Sequence, residues 1–391
     1  MKPRIFKVGQ QRRGSVLILT TLMLVLLMAL LAFAIDIGYL QMARVQLQQS
    51  ADASALAACA ELVDNEAISG SADLYDEVDS ARTYAISYAA LNKVCQQGPV
   101  VDSNSLNSPS GEIVIGNLAN PSDPTEPISF DDPNRFNVVQ VRVERTAEQN
   151  GEVPFFFARV LGLTGEDLQA SSTAALINNF RGFKTPAVSG ATINLLPYAL
   201  DQETWTGLLA GTTGADNYRY NASLSPVVAN GHDQVREVNL FPQGTGSPGN
   251  RGTVDLGSSN NSTSDIARQI VHGINAADLA VFGGEIKLND SGLLYLNGDT
   301  GISAGVKDEL ASIIGQTRMI PIFSAVSGPG NNATYTIVAF AGVRIMAVKL
   351  TGSMSSKYVM IQPAPVTVIG GIPSTGGQSS HFMYSDPWII R

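Results

Sequence analysis

The stretch VLILTTLMLVLLMALLAFAI, residues Val16–Ile35, decides the architecture of this chain of 391 residues. It carries no charge, and its only polar members are Thr20 and Thr21. At ~1.5 Å per helical residue, twenty residues span about 30 Å, which is the thickness of a membrane's hydrocarbon core. A buried core helix of this length would normally keep a polar face, and this stretch has none. The stretch therefore predicts a transmembrane helix over residues 15–37.

The charges that flank this helix predict its orientation. Residues 1–14 contain five basic side chains, including Lys7, Arg12 and Arg13, and no acid. The net charge of the whole chain is −9, so the rest carries −14. Because basic residues stay on the cytoplasmic side, residues 1–14 form a cytoplasmic stub and everything after Asp36 lies outside. An acidic chain also argues against nucleic acid as a partner.

A cleaved signal peptide is the competing interpretation of the apolar stretch. Ala32-Phe33-Ala34 fits the small-residue cleavage pattern of such peptides. However, the stretch is longer than an ordinary signal core, and the residues after it continue as a helix without a turn signal. We therefore expect an uncleaved anchor, and cleavage at Gly14 or Ala34 stays open.

Residues 38–180 begin with a pair of helices. Apolar residues recur at helical spacing in the first helix, and a second helix is predicted at roughly residues 75–94. The apolar stripe either packs on that second helix or forms a surface for a partner helix. The stripe consists of Leu40, Ala43, Leu47, Ala51, Ala55, Ala58 and Leu62.

A small β-sheet is expected to follow the helix pair within residues 38–180. Val139, Val141 and Val143 alternate with polar residues, as in a half-buried strand. The run Phe155–Leu161 is interpreted as an apolar plug in the core. Cys59 and Cys95 are the only cysteines, and outside the cytoplasm they either form a disulfide that staples the helix pair or remain free thiols.

Residues 181–391 are rich in glycine and predict a β-rich domain with a few helices. The helices are expected after Ser264, as N-cap, and at roughly residues 304–314. Asn289–Gly292 is interpreted as the connection of a hairpin. The fold class is thus α+β, with one transmembrane helix that continues into an extracytoplasmic helix pair. The predicted strands are Thr192–Leu200, Glu237–Phe241, Glu285–Leu288, Leu293–Leu296, Met319–Ala325, Tyr335–Leu350 and Tyr358–Ile369.

The N-terminal region resembles TadG-like proteins of the Tad (Flp) pilus-assembly system. The resemblance rests on RRGSVLIL, the unbroken apolar span and the exit sequence AIDIGYLQMARVQLQQSADASALAA, within residues 11–62. A softer match covers residues 136–177, including PFFFARVLG. VNLFPQGTGSPGNRGTVDLGS and NGDTGISAGVKDELASI, in the last 210 residues, are similar to C-terminal regions of planctomycete-type members.

The resemblance implies a single-pass protein of the inner membrane with a periplasmic C-terminal part. It would act in pilus assembly or adhesion through contacts with pilin or other Tad components, or through self-association. Asp36, Gly38 and Arg44 would mark the membrane exit and contact a partner. By itself, Asp36 is either a carboxylate at the membrane boundary or a pairing site for a partner's basic group.

Two features depart from related families. Pilins cleaved after a glycine keep a Glu five residues later, whereas the corresponding residue after Gly14 is Leu19. The nearest string to the metal site of a von Willebrand A domain is Asp255–Ser259, in which Gly257 replaces a serine. Pilin-like processing and a von Willebrand A domain are therefore not expected.

No catalytic, cofactor or metal motif stands out in the sequence. Gly244–Gly249 matches G-x-G-x-x-G, but Pro248 favours a loop over the helix that a dinucleotide site needs. His232, His272 and His381 show no ligand spacing. Asp255, Asp290 and Asp299 lie in turn-rich segments, which explains acidic residues there. The alternatives to an assembly protein are a tethered hydrolase-like enzyme and a calcium-dependent adhesin.

Overall fold

The computed structural model describes residues 15–63, 74–131, 133–221, 225–242, 244–247, 249, 251–257, 262–298 and 304–391. The helices in these ranges are α1 Ser15–Glu61, α2 Leu74–Leu91, α3 Gln202–Leu209, α4 Thr263–His272, α5 Ala276–Ala280 and α6 Lys307–Ser312. Short 3-10 helices lie at Pro133–Arg135, Ala158–Leu161, Ala304–Val306, Gly330–Asn332 and Met354–Ser356.

The strands are β1 Ile113–Gly116, β2 Val138–Arg145, β3 Val153–Pro154, β4 Gly165–Glu166, β5 Leu168–Ala175, β6 Phe180–Lys184, β7 Leu200–Asp201, β8 Tyr218–Asn221, β9 Ser225–Ala229, β10 Val238–Phe241, β11 Glu285–Lys287, β12 Leu294–Asn297, β13 Thr317–Ser327, β14 Thr334–Lys349, β15 Tyr358–Pro363, β16 Val366–Thr367, β17 Gly371–Pro373, β18 Ser380–His381, β19 Met383–Tyr384 and β20 Trp388–Ile389. The predicted α+β class is confirmed.

Helix α1 runs without a break for 47 residues, about 70 Å at ~1.5 Å per residue. Its first half presents apolar side chains to the outside, from Val16 at 65% exposure to Phe33 at 61%. Among the described residues it is the one helix long and apolar enough to cross a membrane. The predicted continuation of the apolar helix into an outer segment is confirmed. The basic stub with Lys7, Arg12 and Arg13 lies outside the described residues.

The outer half of α1 packs against α2 through small side chains. Ser50 Oγ donates to the carbonyl of Ala89, and Ser80 Oγ donates to Glu61 Oε1 at 2.9 Å, so the helices are antiparallel. The interpretation of the stripe as packing on the chain's own second helix is confirmed, and its burial leaves no surface there for a partner. The fully buried contact residues are Ala43, Leu47, Ala51, Ala55 and Ala58 of α1 and Ala81, Ala85 and Ala89 of α2.

The other side of this helix pair covers a four-stranded sheet in the order β1-β2-β5-β20. Val139, Val141 and Val143 on β2 are fully buried in the core that they share with the helices, so the predicted alternating strand is confirmed. The last strand, β20, is antiparallel to β5, with Trp388 opposite Ala175. The C-terminus of the chain thus returns to the sheet next to the helix pair.

A larger sheet organises the rest of the chain around strand β14. Its strand order is β10-β15-β14-β13-β7, with β12 and β18 also pairing with β14. One face packs on α3, α4 and α6 through residues such as Val343 and Ile345. The opposite face builds a second core around Tyr335 and Phe340. Both faces of β14 are therefore buried.

Three local predictions for this region need correction. Asn289–Gly292 does form a turn, but β11 pairs with β6 and β12 pairs with β14, so the turn joins two sheets and not a hairpin. The N-cap of α4 is Ser262 and not Ser264, because Ser262 accepts the hydrogen bond from the Asp265 amide. The segment predicted as a strand at Thr192–Leu200 makes only isolated bridges before β7.

We expect the substitution Ala85→Leu to destabilise the helix pair. Ala85 is fully buried, and added methylene groups in a close-packed contact cost about 1–3 kcal/mol. Ala90→Leu, on the exposed side of the same helix, is the control and should change stability little. Urea unfolding of the full-length chain in detergent measures both, and equal stability of the two variants would contradict the close contact.

Candidate functional site

The carboxylate of Asp36 is held by the chain's own backbone at the outer end of the apolar span. Asp36 Oδ1 accepts from the amide of Phe156 at 2.8 Å, and Oδ2 accepts from that of Ala158 at 2.7 Å. The amide of Phe157 approaches both oxygens, at 3.2 and 3.1 Å. Asp36 thus caps the 3-10 helix Ala158–Leu161 and is only 3% exposed.

This arrangement revises the two roles considered for Asp36. A partner's basic group would have to displace three amides that already fill the carboxylate. The residue also does more than mark a boundary, because it ties α1 to a segment 120 residues further along the chain. The one feature of the sequence that could have indicated this contact is the string PFFFARVLG. It contains no acidic residue that could cap its own short helix.

The segment that Asp36 holds, Phe155–Leu163, is called the apolar loop here. The short ribbon of β3 and β4 closes its base, and Tyr39 of α1 packs edge-on against Phe156 at 4.9 Å between ring centroids. Gly162 ends the 3-10 helix with φ at 86°, a conformation that glycine adopts readily.

The interpretation of Phe155–Leu161 as a plug in the core is wrong. Val160 is 88% exposed, Leu161 80% and Phe156 55%. The apolar loop is exposed, because its first amides bind Asp36 near the middle of α1 and not a neighbouring strand. A run of apolar residues carries no signal that separates this case from a buried one.

Gly38 and Arg44 lie on the exposed side of α1 just beyond Asp36. A Cβ built on Gly38 would meet nothing within 4 Å, so packing within the chain does not require glycine there. Arg44 is exposed as well. We call this surface the exit face. It comprises Ile37, Gly38, Gln41, Met42, Arg44 and Val45.

Cys59 and Cys95 are both free thiols in the structure. Cys59 is fully buried on α1, and burial raises the pKa of its thiol to about 12. The amide of Cys95 donates to Gln46 Oε1 at 2.8 Å, which places it thirteen helical residues, about 20 Å, from the level of Cys59. Since a disulfide needs Cα atoms within about 7 Å, the free-thiol alternative fits the structure and the disulfide staple does not.

A group of three acids that the sequence pattern does not reveal lies at the edge of the large sheet. Carboxylate oxygens of Asp216, Asp233 and Glu237 lie within 4.8 Å of one another, a donor set that suits a hard divalent cation. The backbone already uses these oxygens, however: Glu237 accepts from Asn217 and Tyr218, and the two aspartates accept from four further amides. The group is therefore explained as a set of turn-stabilising carboxylates.

Glu237 is the member of this group with a strongly perturbed pKa. Burial raises its pKa to about 7, and the nearby charges of Asp216 and Asp233 add to that effect. Hydrogen bonds from the amides of Asn217 and Tyr218 act in the opposite direction without cancelling it. Glu237 thus changes its charge near neutral pH, whereas an ordinary Glu titrates near 4.5.

The residues weighed for catalysis and for calcium do not converge on one site. His232 is exposed beside Asp216, and His381 packs against Trp205. Asp255 accepts from the amide of Gly257 in its own turn, the side chain of Asp290 is fully exposed, and Asp299 lies outside the described residues. A groove of about 730 Å³ beside α3 contains Asp201 and Glu203, and no His or Cys is among its described lining residues.

Comparison with known families identifies the N-terminal part of the chain. Residues 14–63 match the family described as putative Flp pilus-assembly TadE/G-like. Residues 69–174 match the family described as putative Tad-like Flp pilus-assembly. The region of α1, α2 and the strands up to β5 is therefore similar to Tad pilus-assembly proteins, and the resemblance seen in the sequence is confirmed there. No curated protein and no solved structure matches the chain.

We expect Asp36→Ala to release the apolar loop. The amides of Phe156–Ala158 would lose the acceptor that protects them, and their hydrogen exchange should accelerate by about tenfold or more. Asp36→Asn keeps one acceptor oxygen and should show a smaller effect. Hydrogen–deuterium exchange of the full-length chain in detergent measures this, with the amides of β2 as the internal control. Unchanged exchange at Phe156–Ala158 would contradict the capping role.

We expect Glu237 to make stability depend on pH between about 4.5 and 7. Its pKa is higher in the folded than in the unfolded chain, so its contribution is complete below about pH 4.5 and is lost as the pH rises through about 7. Solvent screening near the partly exposed aspartates reduces the loss to about 1–2 kcal/mol. Glu237→Gln should flatten this part of the profile.

The control for this substitution is Glu203→Gln, the same chemical change at an exposed site. Denaturant unfolding at several pH values between 5 and 8 compares the three proteins. A Glu237→Gln profile as steep as that of the Glu203→Gln control would show that Glu237 is not the group responsible.

Proposed function

We propose that this chain is a membrane-anchored component of Tad (Flp) pilus assembly that acts by binding other proteins and not by catalysis. The observation that carries the proposal is the coincidence of the two family matches with one structural unit. Residues 14–63 and 69–174 correspond to the apolar span, the helix pair and three strands of the sheet below it. That unit presents an apolar helix at one end and a folded body at the other.

The anchor is proposed to lie in the inner membrane with the folded body in the periplasm. The five basic residues within 1–14 and the absence of acids there support this orientation. Lys7, Arg12 and Arg13 would hold the stub in the cytoplasm. The rest of the chain carries a net charge of −14. This is compatible with a location outside the cytoplasm, because an excess of Lys and Arg is expected only in the segment on the cytoplasmic side.

The exit face is the proposed contact for a partner, either a pilin helix or another Tad component. Glycine costs about 1 kcal/mol relative to alanine within a helix, and no neighbour in the chain requires it at position 38. A glycine at the membrane boundary lets a second helix approach closely. Arg44 offers a charge on the same face. Asp36 contributes by fixing the apolar loop to α1 at the same level along the helix.

Nothing in the described residues favours a hydrolase or a calcium-dependent adhesin over this role. In the groove beside α3, Thr245 Oγ1 donates to Asp201 Oδ2 at 2.9 Å, but no His, Cys or Lys is among its described lining residues to activate a nucleophile. The acidic group around Glu237 has its oxygens bound by amides. The C-terminal β-rich part is proposed to face other envelope or pilus proteins.

We expect deletion of the gene in its source bacterium to abolish surface pili. The reason is that the contacts which an assembly component makes with the other pilus proteins are lost together with the protein. Electron microscopy and a surface-adhesion assay measure the result, and a plasmid copy of the wild-type gene should restore pili. Normal pili and adhesion in the deletion strain would overturn the proposal.

The same strain tests the exit face. Complementation with Arg44→Glu should give a membrane-bound protein at normal level with fewer pili, because reversal of the charge repels the partner surface that Arg44 matches. Lys349→Glu, an exposed site on β14 far from the membrane helix, is the matched control and should restore pili fully. Full piliation with Arg44→Glu would exclude this residue from the contact.

A further inference from the structure

The apolar loop exposes a larger fraction of its apolar side chains than a water-facing loop can easily tolerate. Its exposed fractions are 55% for Phe156, 46% for Phe157, 88% for Val160, 80% for Leu161 and 55% for Leu163. Contiguous apolar surface of this kind marks a binding surface for a protein or a membrane. Either a protein or a membrane therefore covers the apolar loop.

The position of the apolar loop along α1 favours a membrane. Phe157, Val160 and Leu161 face Ala29, Ala32 and Phe33 across a cavity of about 270 Å³. Ala29 precedes Asp36 by seven residues, which is about 10 Å along the helix axis toward the cytoplasmic end. The apolar loop therefore bends back from the folded body and lies beside the apolar span.

The backbone of the apolar loop is prepared for an environment without water. In hydrocarbon each unpaired N–H costs several kcal/mol. The amides of Phe156–Ala158 bind Asp36. The amides of Val160, Gly162 and Leu163 bind carbonyl oxygens within the apolar loop, and the amide of Phe155 binds the carbonyl of Thr164 next to it.

We propose that the apolar loop is inserted among the lipid acyl chains of the outer leaflet of the membrane that α1 spans. This inference rests on the proposed function in one respect, namely that α1 crosses the membrane. If Ala29–Phe33 lies in hydrocarbon, the residues that face it from the apolar loop lie at the same depth. Lipid is thus the occupant that the geometry selects, and a protein partner is the alternative.

Insertion gives the folded body a second attachment to the membrane. Arg159, exposed within the apolar loop, can extend its charge to the phosphates while its methylene stem stays in the apolar layer. A single helix leaves the body free to rotate about the helix axis, whereas the apolar loop, fixed to α1 through Asp36, prevents this. The exit face would then keep one orientation relative to the membrane plane.

Tryptophan quenching by brominated lipids tests the insertion with the full-length chain. The protein is reconstituted into nanodiscs of phosphatidylcholine brominated either near the headgroup or near the chain ends. Leu161→Trp and Val160→Trp, at exposed sites that tolerate a larger side chain, report on the apolar loop. Wild-type protein, with Trp205 and Trp388 in the folded body, gives the background.

Two control variants separate this inference from the anchor itself. Leu26→Trp lies in the middle of the apolar span. Leu106→Trp replaces a residue that is 93% exposed. Its segment is held by Arg82 in the middle of α2, and Ser80, two residues before Arg82, contacts Glu61. That level is 25 residues of α1 beyond Asp36, about 37 Å from the membrane boundary.

The expected result is strong loss of the added emission at positions 160 and 161 with bromine near the headgroup. Leu26→Trp should be quenched most by bromine near the chain ends, and Leu106→Trp by neither lipid. Quenching at position 26 without quenching at 160 and 161 would overturn the insertion while leaving the anchor intact, and would favour a protein partner. Absence of quenching at position 26 would overturn the anchor and the insertion together.

Discussion

The bond between the Asp36 carboxylate and three backbone amides of the apolar loop is the constraint on which the membrane-proximal structure depends. It joins the exit of the apolar helix to a segment 120 residues away. A buried carboxylate that accepts hydrogen bonds from several amides is held strongly, because these bonds take the place of water that does not reach the site. The helix and the folded body are thereby fixed at their junction.

Two buried arginines extend this rigidity through the same body. Arg82 on α2 donates to the carbonyls of Ser103 and Ile113 and to Asn107 Oδ1. Arg145 at the end of β2 donates to the carbonyls of Val94, Asn150 and Gly151. Most of these acceptors lie in the loops that flank β1 and β2. The long segment between α2 and β2 is thus held in place although it has little regular structure.

The unit that matches the Tad families therefore connects the long apolar helix to the larger β-rich part of the chain. The alanines of α1 and α2 are buried against each other and are not exposed for a partner. The exposed surfaces that remain are the exit face and the C-terminal part. The return of β20 to the sheet beside β5 ties the C-terminus to the same unit.

The sequence by itself determined the membrane helix, the helix pair, the alternating strand β2 and the α+β class. Those features follow from periodicity and composition over one continuous segment, which are local properties. Only the tertiary structure decided the role of Asp36, the exposure of Val160 and Leu161, the separation of Cys59 from Cys95, and the gathering of Glu237 with two aspartates. Each of these depends on which distant segment lies beside a residue, and the spacing of residues along the chain does not specify that.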